Sequence, residues 1–263
     1  SHDDSGLKLK EIFPEIIYMQ NDKNIGFTGA NNLAIKHALI KNFEYLMLLN
    51  NDTVVDLNFI EYMLQTFKKD KKIGAVQPLI LFYDNNEIVW NFGGKFDKIS
   101  GRVVTMNKGI DISRIIKSKY TEWISGCCFM VKNDVIKKVG LLDDYFFVYY
   151  EDADWSIRIK NAGYKLGLNF KSKIYHHEGA SWKSKKKNKE GVISPFTHYL
   201  NVRNHIYFIK KHKMQFNFIG KWIFQILKII GYSTYFLIKG RFKKLKMVHK
   251  GLIDGFNNNK YIQ

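Results

Sequence analysis

The chain has 263 residues, 46% apolar and 15% aromatic with three prolines; this excludes a disordered, collagen-like or low-complexity protein and suffices for one large α/β domain with an appendage. The net charge of +18 is segregated: residues 1–182 carry 24 Lys and Arg against 22 Asp and Glu, whereas 183–250 carry 17 against the single acid Glu190. The two cysteines, Cys127 and Cys128, are adjacent, so they offer neither a disulfide framework nor the spaced pairs of a zinc site.

Ile16 to Met19 is a short β-rich run, and Ala30, Leu33, Ala34, His37 and Ala38 give residues 28–41 helical spacing. Tyr45 to Leu49 is a continuous apolar run, which predicts a strand buried on both faces. A helix over 57–69 and a strand over 75–82 follow, completing the alternation of a largely parallel α/β sheet. Residues 87–132 read as β-rich, with turns at Gly93-Gly94 and Ser100-Gly101. Short and longer helices are expected at 134–139 and 151–162, stopped by Gly140 and Gly163, and another at 195–211. From Phe216 to Lys250 the chain is aromatic and aliphatic with lysines inside it.

In open α/β sheets ligands gather beyond the carboxyl ends of the strands, and Asn50-Asn51-Asp52 stands there, directly after the 45–49 run. A carboxylate at that place can hold Mg²⁺ or Mn²⁺ against a diphosphate; the same tripeptide can equally be a turn that caps the next helix. Glu151-Asp152-Ala153-Asp154-Trp155 sets three acids at a helix start, after the run Tyr145 to Tyr150. The helix dipole favours acids there, and a carboxylate against an apolar wall is also a plausible general base. His176-His177 closes a β-rich run, where a histidine could complete a cation site with Asp52. Asn24 to Asn31 is a glycine-containing entry to a helix, without the spacing of the dinucleotide or Walker loops.

Taken in order, these segments resemble the family 2 inverting glycosyltransferases, most nearly the rhamnosyltransferase-like enzymes of bacterial surface polysaccharides. The residues that carry the resemblance are 1–5, Asn24 to Asn31, Leu48 to Thr53, Trp123 to Gly126, Val139 to Phe147, Tyr150 to Trp155 with Arg158, Tyr175-His176 with 179–181, and Asn201 to Asn204. The resemblance implies a GT-A-type α/β fold, a nucleotide-binding mixed sheet, largely parallel and flanked by helices, over 1–210; beyond it, 211–263 reads from its own composition as a basic, aromatic-rich helical extension. The resemblance implies Asp152 as general base with Glu151 as its acidic neighbour, and Asp52 and His176 on a divalent cation, Mn²⁺ or Mg²⁺. Asp3, Asn24, Gly26, Gly29, Asn31, Asn50, Asn51 and Arg203 would bind the donor, a dTDP-rhamnose or UDP-sugar. Trp123, Gly126, Asp154 and Trp155 would bind a glycan or lipid-linked saccharide acceptor. The family also begins with two strands absent ahead of Ser1, roughly 30–40 residues on the scale of a strand–helix–strand unit. The expectation is therefore a truncated chain of low stability and weak activity; the alternatives are a catalytically inactive scaffold and another sugar-nucleotide enzyme on the same fold.

The tail 216–238 is interrupted by Lys221 and Lys228, too early for a spanning helix of about 20 apolar residues. Aromatics beside lysines suggest instead a helix lying on an anionic membrane surface, at the inner face of the cytoplasmic membrane; a helix packed on the domain with a solvated basic face is the competing expectation. A nucleic-acid partner is not expected, because the charge is confined to the tail and no DNA- or RNA-binding motif is present.

Overall fold

The computed structural model describes residues 5–177 and 190–261. In chain order these form α1 (Ser5–Ile12), α2 (Gly26–Ile40), β1 (Tyr45–Leu49), β2 (Thr53–Val55), α3 (Phe59–Lys69), β3 (Ile73–Phe82), β4 (Val89–Asn91), β5 (Gly94–Phe96), β6 (Val103–Thr105), β7 (Tyr120–Thr121), β8 (Cys128–Lys132), α4 (Asn133–Val139), α5 (Glu151–Asn161), β9 (Lys165–His176), α6 (Pro195–Lys211), α7 (Phe218–Ile238) and α8 (Phe242–Asn257). The helices expected up to residue 211 are all present. Gly140 and Gly163 follow α4 and α5 with positive φ, as stop signals do.

The main sheet runs β1-β8-β3-β9-β2, with β4 added to β3 and β7 to β9; β5 and β6 form a separate hairpin. The sheet is mixed, as expected, but among the described residues parallel pairing is confined to β3–β9. The reason is β8, which enters from the turn beside the end of β1 (Leu49 faces Cys128) and so must run back antiparallel to both β1 and β3. β1, β3 and β9 consequently share one direction and end at the same edge.

Two further expectations are corrected. β1 is not buried on both faces: among the described residues it is an edge strand of the sheet, and within it only Leu48 is buried while Leu49 is 40% exposed. The strand enclosed on both faces is β3, whose first nine residues are buried. Residues 16–19 form no strand, since no described neighbour offers them a ladder, and Ile17 is 66% exposed.

Side chains alternate across the sheet as strand geometry dictates. Phe129, Val131 and Ala75 meet Ile35, Ile136, Trp155 and Ile159 on one face, under α2, α4 and α5. Cys128, Met130 and Val76 meet Phe59, Met63 and Phe67 of α3 on the other. β3 carries a proline at its centre, tolerated because the register with β9 shifts between Pro78 and Leu79.

The tail folds back onto the domain. Phe208 and Ile209 of α6 pack with Phe96, Trp123, Phe146 and Ile157. α8 crosses α6 at close range: a Cβ at Gly251 would lie 2.6 Å from the Tyr199 carbonyl and one at Gly255 2.9 Å from that of Arg203. α7 joins through Phe236, against Val202, Ile206 and Val248. Among the described residues no helix is long and apolar enough to cross a membrane.

Candidate active site

The edge where β1, β3 and β9 end gathers the chemistry. Asn50-Asn51-Asp52 is the turn between β1 and β2, not a helix cap: Thr53 Oγ1 donates to the Asn50 carbonyl at 2.6 Å, and α3 begins only at Phe59. Thr53 faces His176 across the β2–β9 ladder, and the His177 N–H donates to the Asp52 carbonyl at 2.9 Å. This brings Asp52 Oδ1 within 3.2 Å of His176 Nε2, with the imidazole edge-on to Trp90. Two cis donors on an octahedral cation with bonds near 2.1 Å lie about 3 Å apart, so the pair fits a Mg²⁺- or Mn²⁺-sized ion. Among the described residues no group of three or more His, Cys, Asp and Glu gathers.

The second half of the site is one turn away. The Asn50 N–H donates to the Cys127 carbonyl at 2.9 Å, tying the β1–β2 turn to Ser125-Gly126-Cys127. The Gly126 N–H donates to Asp152 Oδ2 at 2.9 Å. Asp152 stands in the first turn of α5 and is half-buried. Burial pushes its carboxyl up to about 6, against the lowering effect of the N–H groups of Gly126 and Ala153. Glu151 is buried, and its carboxyl is held well above the usual range by desolvation and by the neighbouring Asp152 and Asp154 charges. Of this pair, Asp152 is the one whose carboxylate is stabilised by two N–H groups, those of Gly126 and Ala153.

Sequence reading missed what positions this carboxylate. Gln77, fully buried in β3, accepts from the Ser125 N–H at 2.8 Å and donates to Asn91 Oδ1 at 2.8 Å, which fixes the turn bearing Gly126. A lone glutamine in an otherwise apolar strand is a signal that could have been followed, since buried polar groups are kept where they have partners.

The loop before α5 is the most strained segment. Phe147, Tyr149 and Tyr150 have φ of 62°, 73° and 76°, which costs bulky residues of order 1–3 kcal/mol each. It is over-determined by α6: Arg203 Nη2 donates to the Tyr145 carbonyl at 2.7 Å and that of Phe146 at 3.1 Å, and Asn204 Nδ2 lies within 2.9 Å of the carbonyls of Phe146, Val148 and Tyr149. α2 holds the other side, with the Thr28 N–H donating to the Phe147 carbonyl at 3.1 Å.

These contacts correct several assignments. Arg203 is fully buried and holds the 145–150 loop, so it is not placed to grip a diphosphate. Asp154 is fully buried, 2.8 Å from Arg158 Nε, 2.7 Å from Lys211 Nζ and 2.8 Å from His212 Nε2. Trp155 lies in the core with its indole N–H on the Gly140 carbonyl, and Trp123 packs against Phe146 and Phe208, its N–H on the Val104 carbonyl. Of the expected acceptor residues only Gly126 touches the acid. On the donor side, Asn24 Oδ1 accepts from the Gly26 N–H, while Gly29 and Asn31 lie inside α2, where Asn31 Nδ2 donates to the Phe27 carbonyl. Asn50 and Asn51 are at the site edge; Asp3, like the 179–181 segment and the lysine loop 183–189, lies outside the described residues.

Gly26 is the point where α2 meets the loop. Its φ is +75°, and a Cβ there would come within 2.5 Å of the Phe147 carbonyl oxygen. Gly26→Ala is expected to lower stability by about 1–2 kcal/mol and to reduce turnover, by moving the loop that carries Asp152; urea titration beside a turnover assay checks both.

A family model described as glycosyltransferase-like family 2 matches residues 8–190. The chain belongs to this family. Similar proteins include the low-salt glycan biosynthesis hexosyltransferase Agl10 of Haloferax volcanii, 26% identical over 58% of this chain and 49% of its own. Another is the rhamnosyltransferase WbbL of Escherichia coli K12, 27% identical over 61% and 65%. A third is the poly-β-1,6-N-acetyl-D-glucosamine synthase of Staphylococcus aureus, 26% identical over 60% and 35%. The matched part thus spans between about a third and two thirds of these relatives. The crystal structure of GalNAc-T7 with UDP, GalNAc and Mn²⁺ shares the fold, with a TM-score of 0.55 at 20% identity over 77% of this chain and 38% of that one. This family 2 glycosyltransferase therefore has the GT-A-like fold, with Asp152 and the Asp52–His176 pair at one edge of its sheet.

Proposed function

We propose that the chain transfers a sugar, with inversion, from a nucleoside diphosphate sugar to a hydroxyl of a surface-glycan acceptor. The observation that carries this reading is Asp152: a carboxylate oriented by the Gly126 N–H, with its proton affinity raised toward neutrality, on the same sheet edge as Asp52 and His176. Inversion is a single in-line displacement at the anomeric carbon, which needs one base on the acceptor side; Asp152 accepts the acceptor hydroxyl proton as the new bond forms. Asp52 and His176 would hold a divalent cation, Mn²⁺ or Mg²⁺, whose chemistry is to neutralise charge on the departing diphosphate. Gly126 holds Asp152 by its N–H, and Gln77 holds the turn that bears Gly126.

The naming of one relative as a rhamnosyltransferase supports a rhamnose donor such as dTDP-rhamnose, and the UDP of the GalNAc-T7 structure supports a UDP-sugar as the other candidate. A lipid-linked saccharide at the inner face of the cytoplasmic membrane is the acceptor class we favour, on the strength of the basic tail.

The test is release of nucleoside diphosphate from a panel of dTDP- and UDP-sugars. Chelation by EDTA is expected to stop release and added Mn²⁺ to restore it. Asp52→Ala is expected to lose at least about a hundredfold in kcat/KM, without rescue by Mn²⁺. Turnover indifferent to EDTA and to Asp52→Ala would refute the cation role; absence of turnover with every donor would refute transfer.

A further inference from the structure

α7 is inside out. In a helix on a water-soluble domain the apolar stripe faces the core and the charges face solvent. Here Lys221 and Gln225 are only 1% and 2% exposed and face inward with Lys228. Lys221 Nζ donates to the Lys213 carbonyl at 3.2 Å, Lys228 Nζ to the Asn201 carbonyl at 3.3 Å, and Gln225 Nε2 to His205 Nδ1. Burial pushes Lys228 down to about 8. The opposite face holds Ile219, Ile223, Ile226, Leu227, Ile230 and Leu237, each 51–66% exposed. At 100° per residue these fall within one arc that contains no charged residue.

We infer that this outward face of α7 is a lipid-contact surface that seats in the interfacial region of an anionic bilayer. The charges around it choose the occupant. Lys213 at one end and Lys239, Lys243 and Lys246 at the other are exposed, and no acid occurs between Glu190 and Asp254. A second copy pressed on this face would set these cations against their own kind, whereas an anionic surface attracts them. The helix is too short in apolar length to cross, so it lies flat. The inference deepens the reading of a membrane-side acceptor and rests on it for the choice of leaflet; the lysines inside α7, which sequence alone would assign to the membrane, take no part in the contact.

The test uses the full chain in flotation with vesicles of phosphatidylglycerol and phosphatidylcholine, compared with phosphatidylcholine alone. The expected result is flotation with the anionic vesicles, retained in part at high salt because the contact is apolar at its centre. Ile223→Glu with Leu227→Glu is expected to weaken vesicle binding by about 30-fold or more, with an unchanged urea midpoint. Should that pair misfold, Ile226→Ser with Ile230→Ser serves. Failure of the parent to float, equal flotation of the folded variants, or a dimer that the same substitutions dissociate would each overturn the inference. Diphosphate release from the donor in detergent reports on the transferase reading separately.

Discussion

Asp152→Asn is expected to lower sugar transfer by about 10²–10⁴-fold, the usual contribution of a positioned general base, while the protein stays folded. The amide keeps the size of the side chain, and its oxygen can still accept from the Gly126 N–H, but it cannot take a proton. Two accompanying signatures separate this from a structural loss. In the parent, kcat/KM rises with pH through about 6, because burial raises the carboxyl to that value and only the ionised form is a base; in the variant that limb disappears. Stability moves the other way. A carboxyl whose pKa is higher folded than unfolded favours the folded state below its unfolded pKa and loses that advantage as pH rises through the folded one. Removing the charge is therefore expected to leave the urea midpoint at pH 7 unchanged or raised. A pH-rate profile and urea titrations on both proteins check the three outcomes, and a variant with parental turnover would remove Asp152 from the chemistry.

Asp154→Ala, two residues on, is expected to do the reverse: a stability loss of about 3–5 kcal/mol, the cost of breaking a buried ion pair, with the acceptor KM of the folded enzyme unchanged. The side chain is fully enclosed between Arg158, Lys211 and His212. Removing it strands cationic partners and uncouples α5 from the end of α6. These partners hold its carboxyl down at about 2 despite burial. With a folded pKa below the unfolded one, its contribution is present at neutral pH and is lost as pH falls from the ordinary carboxylate range toward 2. In thermal melts the gap between parent and variant should narrow from pH 7 to pH 3 without closing, since a carboxyl held at about 2 is still mostly ionised there; a variant as stable as the parent at pH 7 would show that the cluster contributes nothing.

The contrast between these neighbours shows what was legible in the sequence. Helix positions up to residue 211 were, because periodicity and glycine stops are local: α4, α5 and α6 lie where Gly140, Gly163 and Pro195 put them, whereas the strand read at 16–19 does not form. A histidine beside Asp52 was one option in the sequence, carried to His176 by the family resemblance; it is the β2–β9 ladder that brings the two side chains together. The roles of Asp154, Trp155 and Arg203 were not legible, because burial is a property of the assembled chain. Three acids in four positions look alike along a line, yet helical rotation turns Asp152 toward Gly126 and Asp154 toward α6. The inversion of α7 was equally hidden: its lysines and isoleucines are visible in the sequence, but which set faces the domain depends on His205 and Asn201, contributed by α6.

The left-handed loop before α5 has a consequence for how the enzyme can be cut or evolved. Its aromatic residues would relax to ordinary conformations without Arg203 and Asn204, which lie more than fifty residues downstream of them. A shortened protein ending in the 178–189 stretch would keep Asp52, His176 and the full acidic motif, yet Asp152 would hang from an unlatched hinge. A competent transferase is therefore expected to extend through α6, the last helix of the 1–210 segment, because that helix latches the loop.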